Sequence, residues 1–134
     1  MTCLDYNMNK NKKIFKLPLE LIQKSEILCN AICAPGCPFR KEHYRLNSFY
    51  NLSFGKLYHM QGCEIRQNTL HPITMNYKTN VSPEEIQTLY EPKGFQYFKL
   101  EGRTLSEIEN ICNYVRYLIK PEYQFFVIDH LSKK

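Results

Sequence analysis

Three cysteines cluster in the run Cys29-Asn-Ala-Ile-Cys33-Ala-Pro-Gly-Cys37, and Cys63 follows beside a glycine. Thiolates bind soft and borderline metals, and iron–sulfur clusters are held mainly by cysteine. Three residues separate Cys33 from Cys37, a spacing at which both thiolates can bind one metal. The Pro-Gly between them can fold the loop around that metal. We therefore predict Cys33, Cys37 and Cys63 as ligands of a cluster. The fourth ligand is Cys29, a histidine, a substrate or a residue of another chain.

The alternative interpretation is that these cysteines are buried as small hydrophobic residues and bind no metal, since free cysteine is among the most buried residue types. Cys29 lies in a predicted strand, where it can simply pack. Cys112 lies on the apolar face of a predicted helix, so we expect it in the core. Cys3 has no assigned role.

Zinc competes with an iron–sulfur cluster for the same thiols. Structural zinc takes four Cys or His ligands at short spacings. Cys33, Cys37 and Cys63 would supply three of them, and His59 or His43 the fourth. His43 is equally compatible with a structural role on its helix.

A second segment whose side chains could take part in binding or catalysis is Lys99-Leu-Glu101-Gly-Arg103. Lys99 and Glu101 share one face of a predicted strand, and Arg103 follows at its rim. We predict them as pocket residues, with Glu101 accepting a proton and Arg103 clamping an anion. The alternative is an ion pair across the strand end, with Gly102 present because the turn needs an unusual backbone conformation.

Both segments leave a predicted strand and enter a predicted helix. The strands are predicted over residues 25–30, 73–78, 95–101 and 124–128, and residues 53–70 as a loop. The helices are predicted over residues 17–24 and 38–52, from Ser82 to before Pro92, and from Thr104 to Pro121. This alternation predicts one α/β domain over residues 1–134, with parallel strands covered by helices. Because sites in such folds form at the carboxyl ends of strands, we expect the two segments to share one edge of the sheet.

Two helix starts carry a capping box, in which a Ser or Thr side chain and an acid three residues later cap each other's backbone. These are Ser82 with Glu85, and Thr104 with Glu107. The second helix has an apolar face that we expect to be buried. It comprises Leu105, Ile108, Ile111, Cys112, Val115, Leu118 and Ile119.

Composition limits the class of protein. The chain has 134 residues, 43% of them hydrophobic, which suits one compact domain. Its formal net charge of +5 is below what marks a dedicated nucleic-acid binder. The polar N-terminus lacks a signal-peptide or membrane-spanning run, so we expect a cytoplasmic protein with no membrane partner and with reduced thiols. No Ser, Cys or metal peptidase constellation is visible.

Two blocks resemble a known family. Residues 98–104, Phe-Lys-Leu-Glu-Gly-Arg-Thr, resemble the Lys-(Ile/Leu)-Glu-Gly-Arg motif of the peptidase U32 proteins, or collagenase-like proteases, where it ends a barrel strand. Residues 30–44, with the pattern Asn-x2-Cys-x-Pro-x-Cys-Pro-x-Arg-x2-His-Tyr, resemble the cysteine loop of relatives of that class. The resemblance covers residues 25–120 in outline.

The resemblance implies an α/β (TIM-like) barrel with cysteine-bound 4Fe-4S clusters. It implies oxygen-independent hydroxylation of an RNA base or of a small aromatic substrate. Cys33, Cys37 and Cys63 would then be ligands, and Glu101 and Arg103 pocket residues. A barrel of eight strand–helix units usually takes about 250 residues, so the chain would be half a barrel. It would be the C-terminal piece of a longer one, or would complete its sheet with a second copy or another chain. A non-catalytic zinc-stabilised binding module and an inactive remnant are the alternatives.

Overall fold

The computed structural model describes residues 1–31, 33–53, 78–102 and 105–133, and places three parallel strands at its centre. The strands are β1 (Thr2–Cys3), β2 (Ser25–Leu28) and β3 (Tyr97–Lys99), in the order β1-β2-β3. Cys3 pairs with Glu26, and Glu26 with Tyr97, which fixes the register. The α/β class with parallel strands is therefore confirmed.

Five helices accompany the sheet in the described residues. They are α1 (Leu19–Gln23), α2 (Arg40–Leu52), α3 (Pro83–Glu85), α4 (Glu107–Leu118) and α5 (Pro121–Ser132). Single 3₁₀ turns lie at Tyr6–Met8, Ile14–Lys16 and Glu91–Lys93, and a π-helical turn at Ile86–Tyr90. None of the described helices is long and apolar enough to cross a membrane.

The core lies on one side of the sheet because side chains alternate along β2. Ile27 is fully buried there, whereas Glu26 and Leu28 point to the other side and are partly exposed. The buried cluster around Ile27 also includes Ile14, Ile22, Cys29, Val81, Tyr90 and Phe95. Helix α1 and the segment after α3 therefore cover this side of the sheet.

Tyr90 is the centre of the aromatic part of the core. Its ring is fully buried and packs edge to face against Phe15, Phe95 and Phe98, with centroid distances of 5.1, 5.5 and 6.2 Å. Its hydroxyl accepts a hydrogen bond of 3.1 Å from the Lys10 backbone N–H. One side chain thus joins the N-terminal segment, the sheet and the helical segment that precedes β3.

The Ser82 capping box is confirmed. The Ser82 hydroxyl accepts the Glu85 N–H at 3.2 Å, and the Glu85 carboxylate accepts the Ser82 N–H at 2.9 Å. The predicted stop before Pro92 is wrong by two residues, since helical structure continues through the π turn and the 3₁₀ turn to Lys93. Pro92 occupies the first turn of that 3₁₀ segment, where its missing N–H costs nothing. Gly94, at φ +98°, then turns the chain.

The capping box of α4 lies two residues later than predicted. Ser106 caps the helix, its hydroxyl accepting from Glu109 N–H at 3.3 Å while the Glu109 carboxylate accepts from Ser106 N–H at 2.6 Å. Thr104 lies outside the described residues. The sequence allows either capping box, because Thr104 and Ser106 each offer a hydroxyl that is followed three residues later by an acid. The predicted burial of the apolar face is also partly wrong, since Ile108 and Leu118 are 73% and 74% exposed.

The predicted strand over residues 124–128 is wrong, because this segment lies inside helix α5. Pro121 does end α4, but it also opens α5 at the first helical position, where proline is favoured. The Gln124 amide donates to the Ile119 carbonyl at 2.9 Å, which ties the new helix to the end of α4. The predicted strand over residues 73–78 and the predicted loop lie almost wholly outside the described residues.

Candidate metal and substrate site

The loop after β2 folds as a tight turn between Cys33 and Cys37. The Cys37 N–H donates to the Ala34 carbonyl at 3.2 Å, with Pro35 and Gly36 at the two central positions. Gly36 has φ +70°, the left-handed conformation that a type II turn requires there. The turn reverses the chain, and the Cys33 and Cys37 thiols lie close enough to influence each other's protonation. The Pro-Gly pair thus forms a turn in the loop, and the metal that this loop is predicted to enclose stays a prediction.

The N-terminal segment holds this turn from one side. The Tyr6 hydroxyl donates to the Ala34 carbonyl at 3.0 Å, and the Gly36 N–H donates to Asn7 Oδ1, also at 3.0 Å. Asp5 caps the 3₁₀ turn that carries Tyr6 and Asn7 by accepting the Asn7 N–H at 2.9 Å. The thiol-bearing turn is thus fixed by residues about 28 positions earlier in the chain.

A cation lies near the Cys33 thiol. The Arg40 guanidinium, at the first residue of α2, stacks 4.1 Å from the centroid of the Tyr6 ring and 5.5 Å from that of Tyr44. It also forms an ion pair of 3.2 Å with Asp5. This arrangement is a cation–π stack, with an acid that fixes the direction of the guanidinium. Arg40 therefore provides positive charge next to a site that could hold anionic sulfur.

Burial governs the protonation of Cys33 and Tyr6. It raises the pKa of the Cys33 thiol, an effect that the nearby Tyr6 hydroxyl opposes and Cys37 reinforces. Burial also raises the pKa of Tyr6 well above its ordinary value, and the neighbouring Cys33 adds to this. Tyr6 consequently stays a hydrogen-bond donor over the whole physiological range. Cys33 is therefore a thiol rather than a thiolate at neutral pH, even with Arg40 nearby.

Cys29 is placed apart from the turn. Its side chain is fully buried in the core, with the thiol donating to the Ile27 carbonyl at 3.7 Å. Burial raises the pKa of Cys29 to about 12, so it remains protonated. These surroundings agree with the interpretation of Cys29 as a small buried hydrophobe. Cys112 is partly buried on α4, and Cys3 is exposed.

The two predicted segments meet at the carboxyl edge of the sheet. Asn30, just after β2, donates from Nδ2 to the Glu101 carbonyl at 2.9 Å. Its Oδ1 accepts the Glu101 N–H at 2.6 Å. This paired contact joins the cysteine loop to the loop after β3, as the parallel topology predicted.

Lys99 extends from the side of the sheet opposite the core. Its ammonium lies 3.6 Å from Glu26 Oε1 on the neighbouring strand, and its side chain is 55% exposed. The ion pair at this strand end thus links Lys99 to β2. Glu101 is half-buried in the loop that follows.

Gly102 is required for a different reason from the one predicted. It does not have a positive φ, so the turn does not need a left-handed residue there. Instead, a Cβ on Gly102 would collide with the Asn110 side chain, whose Nδ2 donates to the Gly102 carbonyl at 3.1 Å. Close approach of α4 to the loop therefore explains the glycine.

Several predicted site residues lie outside the described part of the chain, namely Cys63, Arg103 and His59. His43 is half-buried on α2. Within residues 1–31, 33–53, 78–102 and 105–133, no group of three or more His, Cys, Asp or Glu side chains could hold a metal ion. The described residues thus bring together two of the three predicted ligands. Comparison with protein-family models, curated proteins and solved structures gives no match for this chain.

Sequence reasoning missed Asp5, Tyr6 and Asn7 as parts of the site. The one local signal in these residues is Asp5, which can cap a short turn. That signal does not predict that the segment contacts the turn at Ala34. Asn30 carried a clearer signal, because a polar residue directly after a buried strand of a parallel sheet lies at the edge where sites form. The sequence predicts no role for Asn30 other than its place in the family pattern.

The Asn30→Ala variant is expected to be destabilised by about 2 kcal/mol, because it leaves the Glu101 N–H and carbonyl without their partner. Asn30→Asp keeps the acceptor for the Glu101 N–H and should lose about half as much. Urea unfolding followed by circular dichroism measures both values. A loss of less than about 0.5 kcal/mol for the alanine variant would show that the contact does not join the loops in solution.

Proposed function

We propose that this chain binds an iron–sulfur cluster through Cys33 and Cys37, with Cys63 as a third ligand. In this proposal it is a U32-like enzyme, or part of one, that modifies an RNA base or a small aromatic substrate by a hydroxylation-type reaction. The observation that carries the proposal is the Pro-Gly turn that sets two thiols side by side at the carboxyl edge of a parallel sheet.

The chemistry of the donor set fits such a group. Two thiols held by one turn form a soft chelate, which suits iron–sulfur clusters and zinc and is unsuited to hard cations such as magnesium. The nearby Arg40 charge favours thiolates over thiols when a metal displaces their protons. Cys29 is left out of the ligand set because it is packed in the core.

Protein residues at the same edge have substrate roles in this proposal. Asn30 fixes the Glu101 backbone beside the cysteine loop. Glu101 accepts a proton from the substrate, and Arg103 binds an anionic group such as a phosphate. Lys99, which is paired with Glu26, contributes positive charge to the rim. The cluster would supply electron transfer or activation of a bound group.

Anaerobic purification followed by visible spectroscopy and by iron and zinc analysis tests this proposal. A brown protein with broad absorption in the visible range and iron in excess of zinc is the expected result. Stoichiometric zinc in a colourless protein would favour the zinc-stabilised binding module instead. A protein that contains neither metal, even after anaerobic reconstitution with iron and sulfide, would refute both.

A further inference from the structure

A single turn brings the chain at Cys37 back toward Cys33. The Cys37 N–H donates to the Ala34 carbonyl at 3.2 Å, so the Cα atoms of these two residues lie within about 7 Å of each other. Cys33 directly precedes Ala34, and both cysteines carry free, half-buried thiols. We propose that Cys33 and Cys37 form a reversible disulfide, which makes this turn a thiol–disulfide switch.

Two contacts from the N-terminal segment hold the turn closed before any bond joins the sulfurs. The Tyr6 hydroxyl donates to the Ala34 carbonyl, and the Gly36 N–H donates to Asn7 Oδ1, both at 3.0 Å. Neither contact involves a sulfur atom, so both are present in the dithiol form. Because closing a flexible loop costs conformational entropy, a turn that is already closed lowers the cost of forming the disulfide.

The oxidant in this proposal is a small dissolved disulfide such as oxidised glutathione. One thiolate of the pair attacks a sulfur of the oxidant, which forms a mixed disulfide and expels one small thiolate. The second thiolate of the pair attacks the protein sulfur of that mixed disulfide, closes the Cys33–Cys37 bond and expels the second small thiolate. The pair loses two electrons and two protons, and the oxidant becomes two small thiols. The Arg40 guanidinium near Cys33 stabilises negative charge on sulfur during the exchange.

A consequence for metal binding rests on the proposed function. A metal is bound by thiolates, and the sulfurs of a disulfide are no longer thiolates. Oxidation of Cys33 and Cys37 therefore removes two of the three proposed ligands. We expect the oxidised chain to take up no metal until a reductant restores the thiols.

Oxidation of the metal-free full chain with oxidised glutathione, followed by peptide mapping, tests the disulfide. Trypsin releases residues 25–40 as one peptide that contains three cysteines. The expected product is lighter by two hydrogen atoms, has Cys29 alone open to alkylation after unfolding, and regains its mass with dithiothreitol. A peptide that stays fully reduced, that carries only glutathione adducts, or in which Cys33 or Cys37 is bonded to Cys63 would overturn the proposal.

Gly36→Ala tests whether the turn prepares the pair for oxidation. Gly36 has φ +70°, and a Cβ there meets no atom of the described residues within 4 Å, so alanine changes only the backbone preference. We expect the equilibrium constant for oxidation to fall by about tenfold, because alanine disfavours the left-handed conformation. Tyr6→Phe removes only one hydrogen bond to the turn and should lower the constant about threefold. The matched control Cys3→Ala, outside the turn, should leave it unchanged, and an unchanged constant in Gly36→Ala would overturn the proposal.

Iron and zinc uptake by the same samples separates this proposal from the proposed function. Uptake by the reduced chain and none by the oxidised chain supports both. Uptake by a reduced chain that forms no disulfide refutes the switch and leaves the metal site standing. A disulfide in a chain that binds neither metal when reduced supports the switch and refutes the metal site.

Discussion

A Cys33→Ala/Cys37→Ala variant is expected to lose essentially all bound iron when it is purified anaerobically. The reason is geometric, since the turn from Ala34 to Cys37 brings these two thiols together in the described residues. Removing both leaves Cys63 as a single predicted thiolate, which cannot hold a cluster that needs about four ligands. Iron and sulfide analysis and the loss of visible absorption measure the effect.

Cys3→Ala is the matched control, because Cys3 is an exposed thiol on β1 outside the turn. It should retain the full metal content. Far-UV circular dichroism of each variant separates loss of ligands from loss of fold, and the conservative Cys33→Ser and Cys37→Ser single variants provide a second series. Unchanged iron content in the double variant would show that the turn does not bind the metal.

The second large effect concerns the core. Tyr90→Ala is expected to lower the free energy of unfolding by about 3–5 kcal/mol, the usual cost of removing a large buried aromatic side chain. It deletes the ring that packs edge to face against Phe15, Phe95 and Phe98. Because Tyr90 is fully buried, the surroundings cannot fill the cavity without moving β3 or the N-terminal segment. Urea unfolding at equilibrium, or the melting temperature, measures the loss.

Tyr90→Phe isolates the contribution of the hydroxyl. It keeps the three ring contacts and removes only the acceptor of the Lys10 N–H, so the expected loss is about 1 kcal/mol. The difference between the two variants then reports the packing of the ring. An alanine variant that loses no more than the phenylalanine variant would place Tyr90 outside the core in solution.

Local sequence signals predicted the parts of the fold that local interactions determine. The Ser82 capping box involves contacts within three residues, and it is confirmed. The Pro-Gly turn is equally local, because its geometry follows from the fixed φ of proline and the freedom of glycine. The meeting of the two predicted segments followed from topology alone, since parallel strands place their carboxyl ends at one edge.

Long-range contacts explain what the sequence did not reveal. The hydrogen bond from Tyr6 to Ala34 spans 28 residues, and the bond from Asn9 to Thr79 spans 70, so nearby residues give no signal of either. In residues 124–128, the run Gln-Phe-Phe-Val-Ile suits a strand, and its helical state depends on Pro121 and on docking against α4. A run of four apolar residues, such as Phe125 to Ile128, fits a buried strand and a helix equally well.

Mapping of thiol alkylation by mass spectrometry on the native, anaerobically purified protein tests the central claim most directly. We predict that Cys33 and Cys37 resist an alkylating reagent while metal is bound and react once a chelator has removed it. Cys3, which is exposed, should react in both states, and Cys29, which is buried in the core, in neither. Equal labelling of Cys33 and Cys37 with and without the chelator would contradict the assignment of the Pro-Gly turn as a metal site.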